Sequence, residues 1–229
     1  ILRDIAPGTA SGYNALYPIT TIAKRAMFVA NDKVSGNRIW GTDGTPAGTK
    51  VLVGGEKLPS STFGVELSAR RYFLASASAS PTGYVFKSTT GASVADLTLS
   101  VAGKRLYPVV KFQKGELGTV AGKLIFEGLA QDMISPVADT GFYAYDPVAK
   151  TATLLMSINK TNDDGRARDT VMEIANVGSM VLFSAKNHRQ RLSNGSFRDN
   201  QELWRSSATP PSTKLAKDLW SRVRFGSHP

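Results

Sequence analysis

An aromatic residue, a small polar turn and a short apolar strand recur four times along this chain. A repeat constrains the fold more than any single motif does, because it changes how every motif inside it is read. The anchors are Trp40 in R-I-W-G-T-D-G-T, Phe86 in Y-V-F-K-S-T-T-G, Tyr143 in G-F-Y-A-Y-D-P-V and Trp204 in E-L-W-R-S-S-A-T. Their spacing is uneven, but each interval holds a unit of about 45–50 residues plus loop insertions.

Each unit reads as four short strands. A weak strand comes first: Ile19–Ala23, Gly64–Ser68, Gly118–Ala121 and Met172–Val177. A stronger one follows: Ala26–Ala30, Tyr72–Ala75, Lys123–Phe126 and Met180–Phe183. The anchor strand is third, and the fourth is Val51–Val53, Leu97–Leu99, Leu154–Met156 or Leu215–Lys217. Turn-forming Pro, Gly, Asn, Asp and Ser fill the gaps, and no long 3.6-residue period appears. The expectation is an all-β β-propeller of four-stranded antiparallel blades, about four in this chain, as one domain over residues 1–229. The expected units are an orphan strand at 1–5, blades at 6–54, 55–101, 102–158 and 159–219, and the start of a further unit at 220–229. Strand-like ends at Ile1–Ile5 and Leu215–Leu219 suit a part of a larger ring. An isolated four-stranded sheet cannot bury either face, whereas blades stacked around an axis bury both, with the aromatic anchors filling the gaps between them.

Asp43-Gly44-Thr45 reads as the tight turn between third and fourth strands. Glycine supplies a positive φ without steric cost, and the Asp and Thr side chains bond the turn amides. The later turns keep small polar residues but not always the carboxylate, as scaffold would.

The two clearest copies resemble the ELWxxDGT repeat family of bacterial extracellular proteins. Ile39-Trp40, Thr42-Asp43-Gly44-Thr45 and Gly48-Thr49 match the middle of that pattern. Glu202-Leu203-Trp204, Ser206, Thr209 and Thr213 match again, with Leu215, Lys217 and Asp218 for its tail, and Ile1–Gly8 matches the tail plus a Pro-Gly. The resemblance implies a secreted or surface-exposed propeller and no catalytic residues.

The chain has no cysteine, hence no disulfide framework and no thiolate metal site, and no apolar run long enough to span a bilayer. Its formal net charge is +10, which favours polyanionic partners such as acidic polysaccharide and makes charge geometry the feature to read. Nucleic acid is the less expected polyanion. The chain's first residue is Ile1, so a processed product or a fragment is expected.

Catalytic residues are not expected. Histidine is limited to His188 and His228, and no G-x-S-x-G elbow precedes His188. The acids form no readable pair of the glycosidase kind. Asn162, Asp163, Asp164 and Asp169 offer clustered oxygen ligands, so calcium is the one cofactor to consider, although the spacing fails that of an EF-hand loop. The segment Lys186–Asn200 carries Lys186, Arg189, Arg191 and Arg198 around Phe197. It reads as a long loop suited to an acidic partner. The resulting expectation is a non-catalytic module binding protein or polyanionic glycan. A sialidase-like glycoside hydrolase with an axial site, and a structural repeat pairing through its edge strands, are the alternatives.

Overall fold

The computed structural model describes residues 3–8, 12, 19–34, 36–53, 64–110, 117–131, 138–158, 171–191 and 197–217. They form four antiparallel sheets in chain order. The first contains β1 (Thr20–Ile22), β2 (Arg25–Asn31), β3 (Asn37–Thr42) and β4 (Lys50–Val53). The second contains β5 (Val65–Leu67), β6 (Arg70–Ser76), β7 (Tyr84–Thr89) and β8 (Val94–Leu97). The third is six-stranded: β9 (Leu99–Val101), β10 (Lys104–Pro108), β11 (Leu117–Val120), β12 (Lys123–Gln131), β13 (Ala138–Asp146) and β14 (Thr151–Ser157). The fourth contains β15 (Val171–Val177), β16 (Met180–Arg191), β17 (Phe197–Ser206) and β18 (Lys214–Lys217). The helical content of the described residues is a single 3-10 turn at Pro210–Ser212.

The sheets stack face to face in sequence, giving a β-propeller-like arrangement. Phe73 and Ala75 of the second sheet pack with Met27, Val29 and Ile39 of the first. Tyr72, Leu74 and Phe86 on the opposite face of the second meet Leu124, Phe126 and Tyr143 of the third. Ile125, Phe142 and Ala144 of the third meet Val181 and Phe183 of the fourth, with Trp204 alongside. Alternation along each strand sends successive side chains to opposite faces, so one strand serves two interfaces.

Register identifies the equivalent residues. The first hairpin of each repeat unit closes on the pairs Ile22↔Arg25, Leu67↔Arg70, Val120↔Lys123 and Val177↔Met180. Counting from those closing pairs, the fourth residue of the second strand is phenylalanine in every sheet: Phe28, Phe73, Phe126 and Phe183. Their partners across the sheet are Trp40, Lys87, Tyr143 and Trp204. The repeat anchor in the second unit is therefore Lys87, and Phe86, expected there, is one residue out of step. Phe86 is buried all the same. The slip moves it to the opposite face, towards the third sheet, because side-chain direction reverses with every residue of a strand.

A second repeated device is a bulge beside the anchor. Pairing between third and fourth strands skips Leu52, Leu155 and Ala216 just after Val51, Leu154 and Leu215. The corresponding residue in the second unit is Leu97, which pairs with Phe86 without a bulge, and one residue later, at Thr98, the chain leaves the sheet altogether. β8 ends at Leu97 and β9 begins at Leu99 as a member of the third sheet. The expected fourth strand Leu97–Leu99 is thus divided between two sheets, and the expected blade boundary at residue 101 cuts through the third sheet.

The extra hairpin β9–β10 is itself a partial copy of the repeat. Val101-Ala102-Gly103-Lys104-Arg105-Leu106-Tyr107 parallels Val120-Ala121-Gly122-Lys123-Leu124-Ile125-Phe126. Both hairpins turn on Ala-Gly with positive φ at both residues, 48° and 78° in one and 50° and 71° in the other, as a two-residue type I′ turn requires. β10 pairs with Gly128–Gln131, the far end of β12, while β11 pairs with its near end. Leu99 and Leu106 join the core between the second and third sheets.

The ends differ from expectation. Arg3–Ile5 is irregular backbone rather than a strand. Arg3 instead lies over the Trp40 ring, with its guanidinium 5.6 Å from the ring centroid, and donates to the Thr49 carbonyl at 2.9 Å. At the other end β18 covers Lys214–Lys217, and its four residues are exposed.

Candidate functional site

The Asp-Gly-Thr stretch is a closed hydrogen-bond network. Asp43 Oδ1 accepts from the Thr45 amide at 3.0 Å and from the Thr45 hydroxyl at 2.7 Å. Thr42 Oγ1 accepts from the Gly44 amide at 3.0 Å and meets Thr49 Oγ1 at 2.7 Å. Gly44 has φ +90°. The Thr45 hydroxyl, then its amide, holds the Asp43 carboxyl below the usual carboxylate range, with help from Arg25 at 3.4 Å. Apart from Arg25 of β2, every group named here belongs to the turn itself, so the network accounts for the motif as scaffold.

The other turns reuse its parts. Thr89 Oγ1 accepts from the Gly91 amide at 2.9 Å, and Ser206 Oγ from the Ala208 amide at 3.1 Å. Ser206 meets Thr213 at 2.7 Å, as Thr42 meets Thr49. In the third sheet Asp146 Oδ1 accepts from the amides of Ala149 and Val148, and those bonds lower its pKa.

A cleft of about 210 Å³ opens where the repeat is broken, between β7–β8 and the inserted strand β10. Its walls include Phe86, Lys87, Asp96, Thr98, Arg105 and Tyr107. Lys87 is largely buried, and its Nζ donates to Asp96 Oδ1 at 2.7 Å. Arg105 is exposed and stacks over the Tyr107 ring at 5.0 Å from the centroid. The sequence reading missed this group. The signal was available in the near-repetition of V-A-G-K-R-L-Y by V-A-G-K-L-I-F, which marks an inserted hairpin.

The basic segment is not the loop expected. Lys186–Arg191 and Phe197–Asn200 continue β16 and β17 as a two-stranded ribbon, with pairs His188↔Asn200, Arg189↔Asp199, Gln190↔Arg198 and Arg191↔Phe197. β16 runs 12 residues where β2 and β6 run 7. The ribbon thus extends past the level at which the first two sheets turn, and it carries Lys186, Arg189, Arg191, Phe197 and Arg198 on adjoining rungs.

Two glutamates are buried between the third and fourth sheets. Glu127 sits opposite Phe142 and Glu202 opposite Ala185, each beside a member of the core shared by those sheets. The calcium candidates Asn162, Asp163, Asp164 and Asp169 lie outside the described residues. Among the described residues no group of three or more His, Asp or Glu is placed to hold a metal ion, and no helix is long and apolar enough to cross a membrane.

No family model matches the chain, and no curated protein matches it. Several solved structures superpose loosely. A puromycin-hydrolyzing peptidase of Mycobacterium tuberculosis has a TM-score of 0.47 and 11% identity, over 88% of this chain and 28% of that one. An α-L-arabinofuranosidase from Clostridium thermocellum has a TM-score of 0.38 and 12% identity, over 87% and 72%. The Bacteroides ovatus xyloglucan PUL protein GH43B has a TM-score of 0.36 and 11% identity, over 93% and 42%. The chain spans less than half the length of the peptidase and of the Bacteroides protein. Superpositions this loose assign neither an activity nor a ligand to it.

Proposed function

We propose that the chain is a non-catalytic binding module, secreted or displayed on a bacterial surface, that holds a polyanionic glycan against the β16–β17 ribbon. The observation that carries this reading is the ribbon's register. Four cationic residues, Lys186, Arg189, Arg191 and Arg198, share one extended hairpin with Phe197, on a chain of net charge +10. A two-stranded ribbon is stiffer than a loop, so less ordering entropy opposes binding. A repeating anion can meet several rungs at once, and arginine's planar fork suits carboxylate and sulfate groups. The extracellular location rests on the resemblance of the Trp40 and Trp204 stretches to the ELWxxDGT pattern.

The test is binding to polygalacturonate, with neutral dextran as control, across a salt series. Affinity should fall steeply as ionic strength rises, because screening shortens the Debye length to about 8 Å at 0.15 M. The combined variant Arg189→Ser, Arg191→Ser, Arg198→Ser should bind at least about tenfold more weakly. Equal binding of dextran, or no effect of the triple variant, would overturn the reading. Release of reducing ends from the polymer would point to the hydrolase alternative instead.

A further inference from the structure

We infer that the face of the fourth sheet turned away from the third docks on the first sheet of a second copy of this chain, Leu203 against Phe28, closing two copies head to tail into one ring. The inference stands apart from the glycan reading and uses neither the ribbon nor its cations.

Three apolar positions join each repeat unit to the next. In the first unit they are Ile22, Met27 and Ile39, all buried against the second sheet. In the third they are Val120, Ile125 and Phe142, buried against the fourth. Counted from the same closing pair, and paired across the sheet in the same way, the fourth unit carries Val177, Leu182 and Leu203 there. Strand alternation turns these three away from the third sheet, since Val181, Phe183 and Ala185 face it. Val177 is 47% exposed, where Ile22 is 1% and Val120 6%. Leu182 and Leu203 are only half-buried. At the hairpin that closes this face, Met180 stands where the other units have Arg25, Arg70 and Lys123. The fourth sheet thus keeps an interface surface and extends it, with no further sheet of the described residues against it.

The matching surface lies at the other end of the stack. The opposite face of each unit carries the repeated phenylalanine, and Phe73, Phe126 and Phe183 are each buried against the sheet before. Phe28, in the first sheet, is half-buried. The contact between the two kinds of surface has a constant form. Phe86 meets Phe126 with ring centroids 4.5 Å apart, and Phe142 meets Phe183 at 4.0 Å. Ile39 shares a core with Phe73 in the same relation. Leu203 and Phe28 are the two halves of one more such contact. Among the described residues no core joins the fourth sheet to the first, so one chain does not make that contact alone. Arg3 lies over Trp40, and Phe28 beside it is left half-covered. A contact between unlike faces closes into a ring or runs on as a filament. Two copies supply eight sheets, within the range of about four to eight blades at which propellers close, whereas three copies would exceed it.

The experiment is sedimentation equilibrium of the full chain, joined to site-directed cross-linking, for which a chain without cysteine is a silent background. The chain should sediment at twice its own mass. Leu182→Thr with Leu203→Thr, at half-exposed positions, should keep the far-ultraviolet circular dichroism of the parent and dissociate at least about tenfold more readily. Leu203→Cys mixed with Phe28→Cys should be joined by a short bis-maleimide into a covalent dimer, while either variant alone should stay unjoined. A chain that remains monomeric at high concentration, or a dimer indifferent to the paired threonines, would overturn the inference. Joining of Leu203→Cys to itself would overturn it in favour of a face-to-face dimer, and open-ended polymers would overturn the ring. A bridge formed within one chain carrying both cysteines would overturn it too, since four sheets would then close alone.

Discussion

The carboxylate of Asp43 fills the space that a side chain on Gly48 would need. A Cβ placed on Gly48 would fall well inside van der Waals contact of Asp43 Oδ1. The equivalent pair in the fourth sheet is Ser207 and Ser212. There Ser212 Oγ accepts from the Ser207 amide at 2.9 Å and meets the Thr209 hydroxyl at 2.9 Å. The side chain of Ser212 does from one end of the turn what Asp43 does from the other. Aspartate with glycine, and serine with serine, are two solutions to one turn. Gly48→Ala alone should therefore displace the Asp43 carboxylate from its turn and lower the denaturant midpoint. Asp43→Ser with Gly48→Ser should recover most of the loss. Denaturant midpoints of the three chains measure this, and a double variant no better than Gly48→Ala would refute the equivalence.

Both turn aspartates impose a pH dependence of known sign. In the folded chain, hydrogen bonds that unfolding removes hold the carboxyls of Asp43 and Asp146 below the usual carboxylate range. A depressed folded pKa contributes stability above the unfolded pKa, and that contribution is lost as pH falls through the folded value. Thermal midpoints measured from pH 5 downwards should begin to drop near pH 4 and keep dropping below it. Asp146→Ala should flatten part of that slope while lowering the midpoint at pH 5. An unchanged slope in that variant would mean its amide bonds from Val148 and Ala149 are not formed in solution.

The four-strand unit is legible in the sequence because turns and apolar runs alternate at short range. Three of the four third-strand anchors stand where they were expected. The second is displaced because Phe86 and Lys87 are neighbours, and the buried one at the repeat position is the lysine. A charged residue reads as solvent-facing unless its partner is known, and Asp96 lies nine residues away on the next strand. The ribbon was read as a loop for a related reason. Its residues lack the alternation of apolar and polar side chains that marks a half-buried strand, so local pattern gave no strand signal there. The inserted hairpin was legible in the near-repetition of Val101–Tyr107 by Val120–Phe126, but the sheet that β9 joins was not, because pairing across sheets leaves little trace in local pattern.

The repeated phenylalanine should vary in worth with its place in the stack. Phe126 is 1% exposed, 4.5 Å from Phe86 edge to face, and stacked on Tyr143 at 6.1 Å. Phe28 holds the same repeat position in the first sheet but is only half-buried. Phe126→Ala should cost about 3–5 kcal/mol, the usual range for a buried aromatic, and Phe28→Ala about half as much. A double-mutant cycle between Phe86 and Phe126 should return about 0.5–1.5 kcal/mol of coupling for the aromatic pair. Equal losses at Phe28 and Phe126 would show that the first sheet is covered as fully as the third.

The third and fourth sheets are also clasped along their inner strands. Asn176 Oδ1 accepts from the Thr119 amide at 3.1 Å, and Asn176 Nδ2 donates to the Thr119 hydroxyl at 3.1 Å. One residue before, Gly118 lets β11 approach β15 closely, since a Cβ there would meet Ile174 Cγ2 at 2.6 Å and Val181 Cγ1 at 3.1 Å. The clasp and the close approach depend on each other, because pushing β11 away from β15 stretches both hydrogen bonds. Asn176→Ala should cost about 1–2 kcal/mol, the net worth of two partly solvated hydrogen bonds. Gly118→Ala should cost about 1–3 kcal/mol by overpacking. Combined, they should cost less than the sum, because the second substitution finds the clasp already opened. Strict additivity in chemical denaturation would show that the amide pair and the glycine act independently.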